Sequence, residues 1–224
     1  ISILDLPFMF KNRHQVHEAF RGAFGDYLQS QFQAKTPFKL LGIWDNGFRH
    51  ITNKIHPIRS PKDCAGLSIR TQMSEVHVES LRAIGFNPIP VDVKVFVDEI
   101  AGPRFDAQDN PLTNSFNFGV HHYHRFFTLT GHFFGGTAFI CNAEIFDSWS
   151  QEMKDVFTSS AKLATEYQWK LASEEDELIL KKINPNENEI ISLSAEEREL
   201  FKVAVKPIFD KYEKLIPANI FQMF

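Results

Sequence analysis

One uninterrupted helical segment constrains the fold of this chain more than any other feature. From about Ser150 to Ile183 the sequence contains neither proline nor glycine, the residues that most often end a helix. Ser148 and Gln151 have the spacing of a capping box at its start. The apolar residues of the segment recur as one stripe: Val156, Leu163, Tyr167, Leu171 and Leu178. At 1.5 Å per residue this helix would be roughly 50 Å long. Because that exceeds the width of one small lobe, we expect it to pack against two bodies.

Short strands alternate with helices along the rest of the chain. The predicted strands are 1–10, 38–44, 48–59, 66–70, 87–91, 105–108, 126–130, 137–142 and 189–193. The other predicted helices are 12–33, 74–84, 94–101, 111–123 and a last one from 194, kinked at Pro207. Turns are predicted at 45–47, and a flexible crossing at 133–136. This alternation predicts an α/β fold with largely parallel sheets. No linker separates two halves, so two lobes joined by crossing strands fit better than tandem domains.

The composition excludes several classes of protein. A net charge of −4 and a pI near 6.1 give no electrostatic footprint for nucleic acid. No apolar run is long enough to span a bilayer, and no basic-then-apolar leader is present. The opening residues 1–8 are typical of the continuation of a strand, so we expect a segment to precede them in the natural protein. Cys64 and Cys141 are too few for a disulfide framework and are expected to be unpaired.

Two arginines stand beside turns at the ends of strand-like runs. Arg49 follows a Gly-Phe turn, and Arg70 closes the run 66–70. Arg70 has no acidic neighbour at helical spacing that would explain it as a local surface ion pair. Asp45 lies four residues before Arg49, but a predicted turn, not a helix, separates the two. A guanidinium group held in such a place can clamp a small carboxylate with paired hydrogen bonds. The alternative is that each arginine pairs with a distant aspartate or glutamate.

A polar segment, Asp106-Ala107-Gln108-Asp109-Asn110-Pro111, leaves a predicted strand and enters a predicted helix. Ligands of open α/β sheets bind beyond the carboxyl ends of strands, where Asn110 is expected to lie. Its amide can donate to a carboxylate and accept from a hydroxyl group. The alternative reading is a simple helix cap before a proline.

A histidine cluster supports a second functional hypothesis. His121 and His124, with Asp106 or Asp109, could bind zinc or iron in a metal-dependent hydrolase or isomerase. No recognised zinc spacing occurs, and packed or surface histidines are the alternative. The sequence has no phosphate-binding glycine loop and no dinucleotide fingerprint, so no cofactor is expected.

Several motifs, in register, resemble the periplasmic solute-binding proteins of TRAP (tripartite ATP-independent periplasmic) transporters. Residues 45–53, DNGFRHITN, match the family's N-G-F-R-x-x-T-N box. Residues 57–70 are similar to its P-I-x-x-P-x-D-L-x-G-L-K-I-R segment, and further matches follow at 83–90, 106–111 and 129–132. The resemblance runs from about Leu6 to the last helix, which is nearly the whole chain.

The resemblance implies a two-lobed α/β fold with a hinge and a long bridging helix, closing on a small organic acid. Lobe I would comprise residues 1–46 and about 134–172, and lobe II residues 47–133 and about 173–224. By matching position, Arg70 is the principal carboxylate-binding residue, Arg49 a second contact and Asn110 the polar partner at the lobe junction. The remaining candidates for substrate binding are Asp109, His132, Phe134 and Trp44.

The resemblance also implies partners and a location. The expected ligand is a C4-dicarboxylate, a 2-oxo or 2-hydroxy acid or an aromatic acid, delivered by a periplasmic monomer to TRAP membrane permease subunits without catalysis. Departures leave the acid open: 94–97 read Lys-Val-Phe-Val where the family has S-E-V-Y, and Val93 replaces a pocket aromatic. The family's N-terminal strand–helix units and export signal are absent from this sequence, so the first lobe is expected to be incomplete.

Overall fold

The computed structural model describes residues 2–223. Six β-strands form one mixed sheet in the order β3-β2-β4-β1-β5-β6. The strands are β1 Phe38–Asn53, β2 Ser68–Thr71, β3 Asn87–Pro90, β4 Ala107–Pro111, β5 Phe126–Asn142 and β6 Glu189–Ser192. The α-helices are α1 Arg13–Arg21, α2 Ala23–Lys35, α3 Glu75–Ile84, α4 Val93–Glu99, α5 Leu112–Asn117, α6 Ala143–Ser148, α7 Gln151–Lys182 and α8 Ala195–Glu213. Short 3-10 helices occupy Ser2–Asp5, Pro61–Cys64, Val120–His122 and Ala218–Met223.

The two longest strands, β1 and β5, pair antiparallel along almost their whole length. The other strands pair mostly parallel: β2 with both β3 and β4, and β6 with β5. The antiparallel pair of β1 and β5 therefore makes the sheet mixed. The prediction of largely parallel sheets missed this central ribbon. The predicted turn at 45–47 is a register shift inside β1, with Gly47 at a φ of 101°. The predicted flexible crossing at 133–136 likewise lies within β5.

Separate hydrophobic cores pack against the two ends of this ribbon. One core gathers Phe24 and Leu28 of α2, Leu40 and Ile43 of β1, and Ile220 near the C-terminus. A second core lies around β2, β4, α3 and α8 and includes these residues: Ile51, Ile69, Leu81, Ala107 and Phe201. Since β1 and β5 cross from one body to the other, the fold is the expected two-lobed α/β arrangement.

The long helix α7 bridges both bodies, as predicted. Its Trp169 donates a hydrogen bond from Nε1 to the backbone oxygen of Ile43 at 2.8 Å. Further along, Ile179 packs in a small core with Leu112 and Phe127. Among the described residues no helix, α7 included, combines the length and apolar character that a membrane crossing requires.

Two details of the predicted helix were wrong. Its N-cap is Ser150, whose side chain accepts from the backbone of Met153, because Ser148 is the last residue of α6. The apolar stripe predicted to face the core is exposed to solvent: Val156, Leu163, Tyr167, Leu171 and Leu178. The buried face instead carries Ala161, Thr165, Trp169 and Ile179. A small side chain is needed at Thr165, because β1 passes close to the helix there and Gly42 lies directly against it.

Other element boundaries also differ from the predictions. Residues Ser2–Asp5 form a 3-10 helix rather than a strand, and Ile1 lies outside the described residues. The helix predicted over 12–33 is divided at Gly22, whose extended backbone caps α1 and begins α2. The strand predicted over 48–59 ends at Asn53, whose side-chain oxygen accepts from the backbone amides of Ile55 and His56 and turns the chain. By contrast, α8 has the predicted capping box of Ser194 and Glu197, and Pro207 lies inside it.

The close approach of β1 to α7 gives a stability prediction. A Cβ at Gly42 would clash with Thr165 Oγ1, so Gly42→Ala should lower the free energy of unfolding by about 1–3 kcal/mol, as overpacking does. Urea unfolding of both proteins measures the loss. In a Thr165→Ala background the same change should cost clearly less, because the clashing atoms are gone. Equal costs in the two backgrounds would contradict the proposed contact.

Candidate functional site

A buried ion pair links β1 to β4. Arg49 is 5% exposed, and its Nε donates to Asp109 Oδ2 at 2.6 Å while Nη2 donates to the Asp109 backbone oxygen. Arg49 thus follows the alternative considered from the sequence, in which the arginine pairs with a distant aspartate. Burial alone would raise the pKa of the Asp109 carboxyl, but Arg49 and His132 hold that pKa well below its usual range. Both groups of the pair are charged, and each largely compensates the other.

An irregularity in β5 brings His132 to this pair. Between the pairings Arg49↔Phe133 and Ile51↔Thr128, β5 contains more residues than β1, so its chain loops out. Gly131 in the loop has a φ of 55°, a backbone conformation that glycine adopts readily. His132 Nε2 lies 3.5 Å from Asp109 Oδ2, and its Nδ1 lies 2.6 Å from Thr130 Oγ1. Burial lowers the pKa of His132, which favours the neutral imidazole.

Arg70 differs from Arg49 in having no anionic partner. It lies on β2 and is 4% exposed, and both its Nε and Nη2 donate to one carbonyl oxygen, that of Val91, at 3.1 and 2.9 Å. No carboxylate of the described residues 2–223 lies within 4.0 Å of its guanidinium. Burial lowers its pKa, and the nearby Asp109 and Arg49 act on that pKa in opposite directions. A buried cation with one neutral acceptor is poorly compensated.

The register of the strands determines which face of the sheet each of these charged side chains occupies. Arg70 is level with Gln108 of β4, whereas Asp109 is level with Ile51 of β1. Since successive side chains of a strand alternate between its faces, Arg70 and Asn110 share one face, and Arg49 and Asp109 share the other. The two groups lie at the carboxyl ends of β2 and β4, where ligands of α/β sheets bind.

A cavity of about 210 Å³ adjoins the ion pair. Its polar wall comprises Asp5, Asn46, Arg49, Gln72 and His77, and its apolar wall includes Leu4 and Phe134. His77 stacks on Phe133 at 3.9 Å between ring centroids. His77 Nε2 also lies 3.2 Å from Asp5 Oδ1 and 3.3 Å from Gln72 Nε2.

Several buried polar atoms near this cavity have no hydrogen-bond partner among the described residues. They are Thr71 Oγ1, His77 Nδ1, Asp109 Oδ1 and His132 Nε2. Buried polar atoms are usually paired, so a group of such atoms is a place where a polar ligand can be accommodated. Sequence reasoning missed the wall residues Asp5, Asn46, Gln72 and His77, which share no motif and meet only through the fold.

The other predicted site residues take different positions. Asn110 is buried, and its Nδ2 donates to Gln108 Oε1 at 2.6 Å. Phe134 lines the cavity beside Arg49. Trp44 lies away from this group, against α7, with its Nε1 donating to Thr165 Oγ1 at 3.2 Å. The structure thus groups Arg49, Asp109, His132 and Phe134 on one face of the sheet, places Arg70 and Asn110 on the opposite face near the same ends of β2 and β4, and leaves Trp44 apart.

The histidines of the metal hypothesis are occupied in packing. His124 is buried and its Nδ1 lies 2.9 Å from Thr52 Oγ1, while His121 stacks on Phe116. Asp106 accepts from the backbone and side chain of Ser68 at 2.9 and 2.7 Å. In the described part of the chain, no three His, Cys, Asp or Glu residues are arranged to hold a metal ion. The metal-dependent hydrolase hypothesis therefore has no support in this geometry.

Burial of His124 predicts a pH dependence of stability. Burial lowers the pKa of His124 from 6.5 to about 3, with Lys54 contributing. The folded state keeps this imidazole neutral while the unfolded state protonates it, so stability is present above pH 6.5 and falls as the pH falls. The contribution of one such histidine is about 1.4 kcal/mol per pH unit. Urea unfolding between pH 7 and 4.5 should show a smaller slope for His124→Asn than for the control His14→Asn, whose side chain is exposed. Identical slopes for the two variants would contradict this assignment.

Comparison with known proteins matches this chain to bacterial solute-binding proteins, both by family model and by individual relatives. Residues 1–215 match the family model described as bacterial extracellular solute-binding protein, family 7 (DctP). The chain is 31% identical over 180 residues to the 2,3-diketo-L-gulonate-binding periplasmic protein YiaO of Escherichia coli, covering 80% of this chain and 55% of that protein. It is 28% identical to the C4-dicarboxylate-binding periplasmic protein DctP of Rhodobacter capsulatus, covering 97% of this chain and 65% of that protein.

The fold matches solved structures as well. A TRAP periplasmic solute-binding protein from Polaromonas sp. JS666, bound to D-erythronate, superposes with a TM-score of 0.90 at 27% identity. That match covers 99% of this chain and 72% of the other. The chain spans 55% of the length of the E. coli relative, so it corresponds to part of that protein. On the match of its residues 1–215, the chain belongs to the DctP family of bacterial extracellular solute-binding proteins.

Proposed function

We propose that this chain captures a small organic acid through its carboxylate and delivers it to the membrane permease subunits of a TRAP-type transporter. The buried guanidinium of Arg70, which no carboxylate of the described residues contacts directly, is the observation that carries the proposal. A carboxylate would supply the missing negative charge and accept paired hydrogen bonds from the guanidinium. The free-energy cost of desolvating this guanidinium is already met when the chain folds. Its attraction to a ligand carboxylate therefore contributes to the free energy of binding.

Asn110 and the Arg49–Asp109 pair complete the proposed site. Asn110 lies on the face of Arg70 and can donate to a carboxylate or accept from a hydroxyl group. Arg49 adds positive potential but is already balanced by Asp109 at 2.6 Å. Of the two buried arginines at this site, only Arg70 therefore lacks a carboxylate in direct contact, which suits one ligand carboxylate better than two. Arg70 and Asn110 do not line the cavity beside Arg49, so we propose that the ligand extends past the ends of β2 and β4 towards it. The polar wall of that cavity, with Asp5, Gln72 and His77, suits hydroxyl groups, and the Asp5 carboxylate would repel a second acidic group.

We therefore infer that the ligand is a hydroxylated monocarboxylic acid, with a C4-dicarboxylate as the second candidate. The relatives whose names or bound ligands indicate 2,3-diketo-L-gulonate or D-erythronate support the first class. The C4-dicarboxylate-binding relative supports the second.

Capture of the acid is proposed to involve closure of the two lobes. We propose lobe I as residues 1–46 and about 134–172, and lobe II as residues 47–133 with the chain from about 173. Phe209 and Tyr212 of α8 and Ile220 pack against the first core, whereas Phe201 and Val205 belong to the second, so we place the C-terminal limit of lobe II within α8 and assign the described residues after it to lobe I. Closure would exclude water and strengthen the hydrogen bonds to the carboxylate.

The chemistry is proposed to be binding alone, in the periplasm. The roles of Arg70, Asn110 and Arg49 need no bond to be broken and no general base. Membership of a family of extracellular solute-binding proteins supports the location and the permease partners.

A ligand screen on Arg70 variants tests the proposal. A thermal-shift screen would span sugar acids, 2-hydroxy and 2-oxo acids, aromatic acids and C4-dicarboxylates. At a hundred times its dissociation constant a ligand stabilises by about 2.7 kcal/mol, which raises the melting temperature of a chain this size by roughly 5–10 °C. Arg70→Ala should abolish the shift, and Arg70→Lys should reduce it strongly because a point charge cannot replace the planar fork. The exposed Arg59→Lys is the matched control. Unchanged affinity in Arg70→Lys would refute the clamp.

A change at Asp109 tests the charge balance of the site. Asp109→Asn leaves Arg49 as a second uncompensated buried cation, so the free protein should lose about 3–5 kcal/mol of stability. Titration calorimetry should then show affinity for succinate rising at least tenfold relative to affinity for a sugar monocarboxylate, a change worth about 1.4 kcal/mol. A ratio that does not move would show that Asp109 does not set the number of carboxylates.

A further inference from the structure

Asp5 and His77 make a contact in which the proposed carboxylate clamp has no part. Asp5 Oδ1 lies 3.2 Å from His77 Nε2, although 72 positions separate the two residues. Their side chains are 35% and 2% exposed, and both line the cavity beside Arg49. Asp5 belongs to the proposed lobe I, and His77, on α3, belongs to the proposed lobe II. The contact therefore spans the junction at which a ligand would be enclosed.

Both partners are held in place by packing. Leu4 and Leu6, on either side of Asp5, are buried in the first core. The ring of His77 stacks on Phe133 of β5, with 8° between the ring planes. Because the backbone of Asp5 and the ring of His77 are both anchored, the carboxylate is held at the cavity wall.

The contact determines which nitrogen of His77 carries the hydrogen that faces Asp5. An ionised carboxylate accepts hydrogen bonds and donates none, so His77 donates from Nε2 to Asp5 Oδ1. In the opposite tautomer the lone pair of Nε2 would face the carboxylate. A hydrogen on Nδ1 would then be buried without an acceptor among the described residues. The Nε2–H group of His77 therefore orients Asp5.

The same hydrogen determines the orientation of the side-chain amide of Gln72. Gln72 Nε2 is placed 3.3 Å from His77 Nε2, which sets one donor against another. The nitrogen and oxygen of an amide have nearly the same size, so the hydrogen bonds decide which of the two faces His77. They favour Oε1 towards His77. Gln72 then presents its NH2 group to the cavity that it lines.

Asp5 and Gln72 thus place an acceptor and a donor side by side on one wall, since both contact the same nitrogen of His77. No hydrogen bond joins Asp5 Oδ2 to another residue in the described part of the chain. A hydroxyl group both donates and accepts, so it can donate to Asp5 Oδ2 and accept from Gln72. A methyl group in its place would leave both polar groups without a partner.

The position of the proposed clamp determines which part of the ligand reaches this wall. Arg70 and Asn110 do not line the cavity. Arg49 does line it, but Asp109 already contacts the guanidinium of Arg49. A carboxylate held by Arg70 therefore lies outside the cavity, and the part of the ligand inside it is remote from the carboxylate.

We propose that Asp5, oriented by His77, is the specificity-determining acceptor for a ligand hydroxyl group remote from the carboxylate, and that Gln72 donates to the same hydroxyl. This inference rests on the proposed function and narrows its ligands to acids hydroxylated beyond C2. A hydrogen bond to a charged acceptor is stronger than one between neutral groups. A site built around a hydroxyl group also discriminates against the analogue that lacks it, because the polar groups of the site are then left unpaired.

Acids of one chain length test the proposal. Calorimetry would compare butyrate with 2-, 3- and 4-hydroxybutyrate, which differ only in the presence and position of one hydroxyl group. The tighter-binding of the 3- and 4-hydroxy acids should exceed butyrate in affinity for the unmodified chain by at least about tenfold. We term this ratio the hydroxyl advantage. The 2-hydroxy acid should gain less.

Changes at Asp5 should remove the hydroxyl advantage. Asp5→Ala should bring the ratio close to one because the acceptor is gone, and Asp5→Asn, which keeps the shape of the side chain, should lower it severalfold because the charge is gone. Having both variants keeps the test decisive if one of them does not unfold cooperatively in urea. Asp147→Ala, at an exposed aspartate of α6, is the matched control and should keep the advantage.

Changes at His77 test its positioning role. His77→Phe keeps a ring that can stack on Phe133 but has no N–H group, so the hydroxyl advantage should fall severalfold. His77→Gln can still donate to Asp5 and should keep most of the advantage. Equal losses in the two variants would show that His77 acts through packing alone and would overturn the positioning role.

The outcomes separate this inference from the proposed function. If no acid of the series binds the unmodified chain, or if Arg70→Ala binds them equally well, the proposed function fails and this inference fails with it. If Arg70→Ala abolishes binding but the Asp5 variants keep the hydroxyl advantage, only the assignment to Asp5 is overturned. A larger gain for the 2-hydroxy acid than for the other two would overturn the placement of the hydroxyl remote from the carboxylate.

Discussion

The antiparallel pairing of β1 with β5 is the contact on which the rest of the structure depends. Each strand begins in one hydrophobic core and ends against another, so the two bodies are joined by continuous backbone hydrogen bonds. The same pairing positions Arg49 opposite Phe133 and places the loop of β5 that carries His132 next to β4. The sheet order then fixes β2, and with it Arg70, on the far side of β4.

The electrostatics of the site follow from that order. Two arginines are buried near one aspartate, and the aspartate contacts only one of them. A buried charge costs several kcal/mol unless it is paired, so the unequal pairing supports the proposal that Arg70 binds the anion, while Arg49 holds the Asp109 carboxyl in its charged form. The neutral His132 adds a polar group without adding charge. The site is thus asymmetric by construction, and this asymmetry is the physical basis for inferring a single carboxylate.

The sequence predicted features that depend on local patterns. The long helix, the last helix with its capping box at Ser194, and the strand β6 follow from spacing within a few residues. The placement of Arg70 near the end of β2 followed from adjacent turn signals. The same reasoning was wrong for Arg49, which lies inside β1 because the predicted turn is a register shift within that strand. Features that depend on distant neighbours were not accessible. Arg49 and Asp109 are 60 positions apart, and nothing in either segment indicates the other.

The buried face of α7 shows why periodicity alone can mislead. The most apolar stripe of the helix was expected to face the core, but packing against β1 requires small side chains and a hydrogen bond from Trp169 to the strand backbone. The inner face therefore combines the small Ala161 and Thr165, where β1 comes close, with the larger Trp169 and Ile179. The face with the most apolar residues is thus not necessarily the face that packs against the core.

The register shifts of β1 also restrict how this chain can vary. They lie between Leu40 and Gly42, between Asp45 and Gly47, and between Arg49 and Ile51. Since side chains alternate at every residue, one residue gained or lost between two shifts would turn Arg49 to the other face and separate it from Asp109. The number of residues in this middle segment is therefore as much a determinant of the site as the identity of its arginine. Changes in length are compatible with the site only where a loop can absorb them.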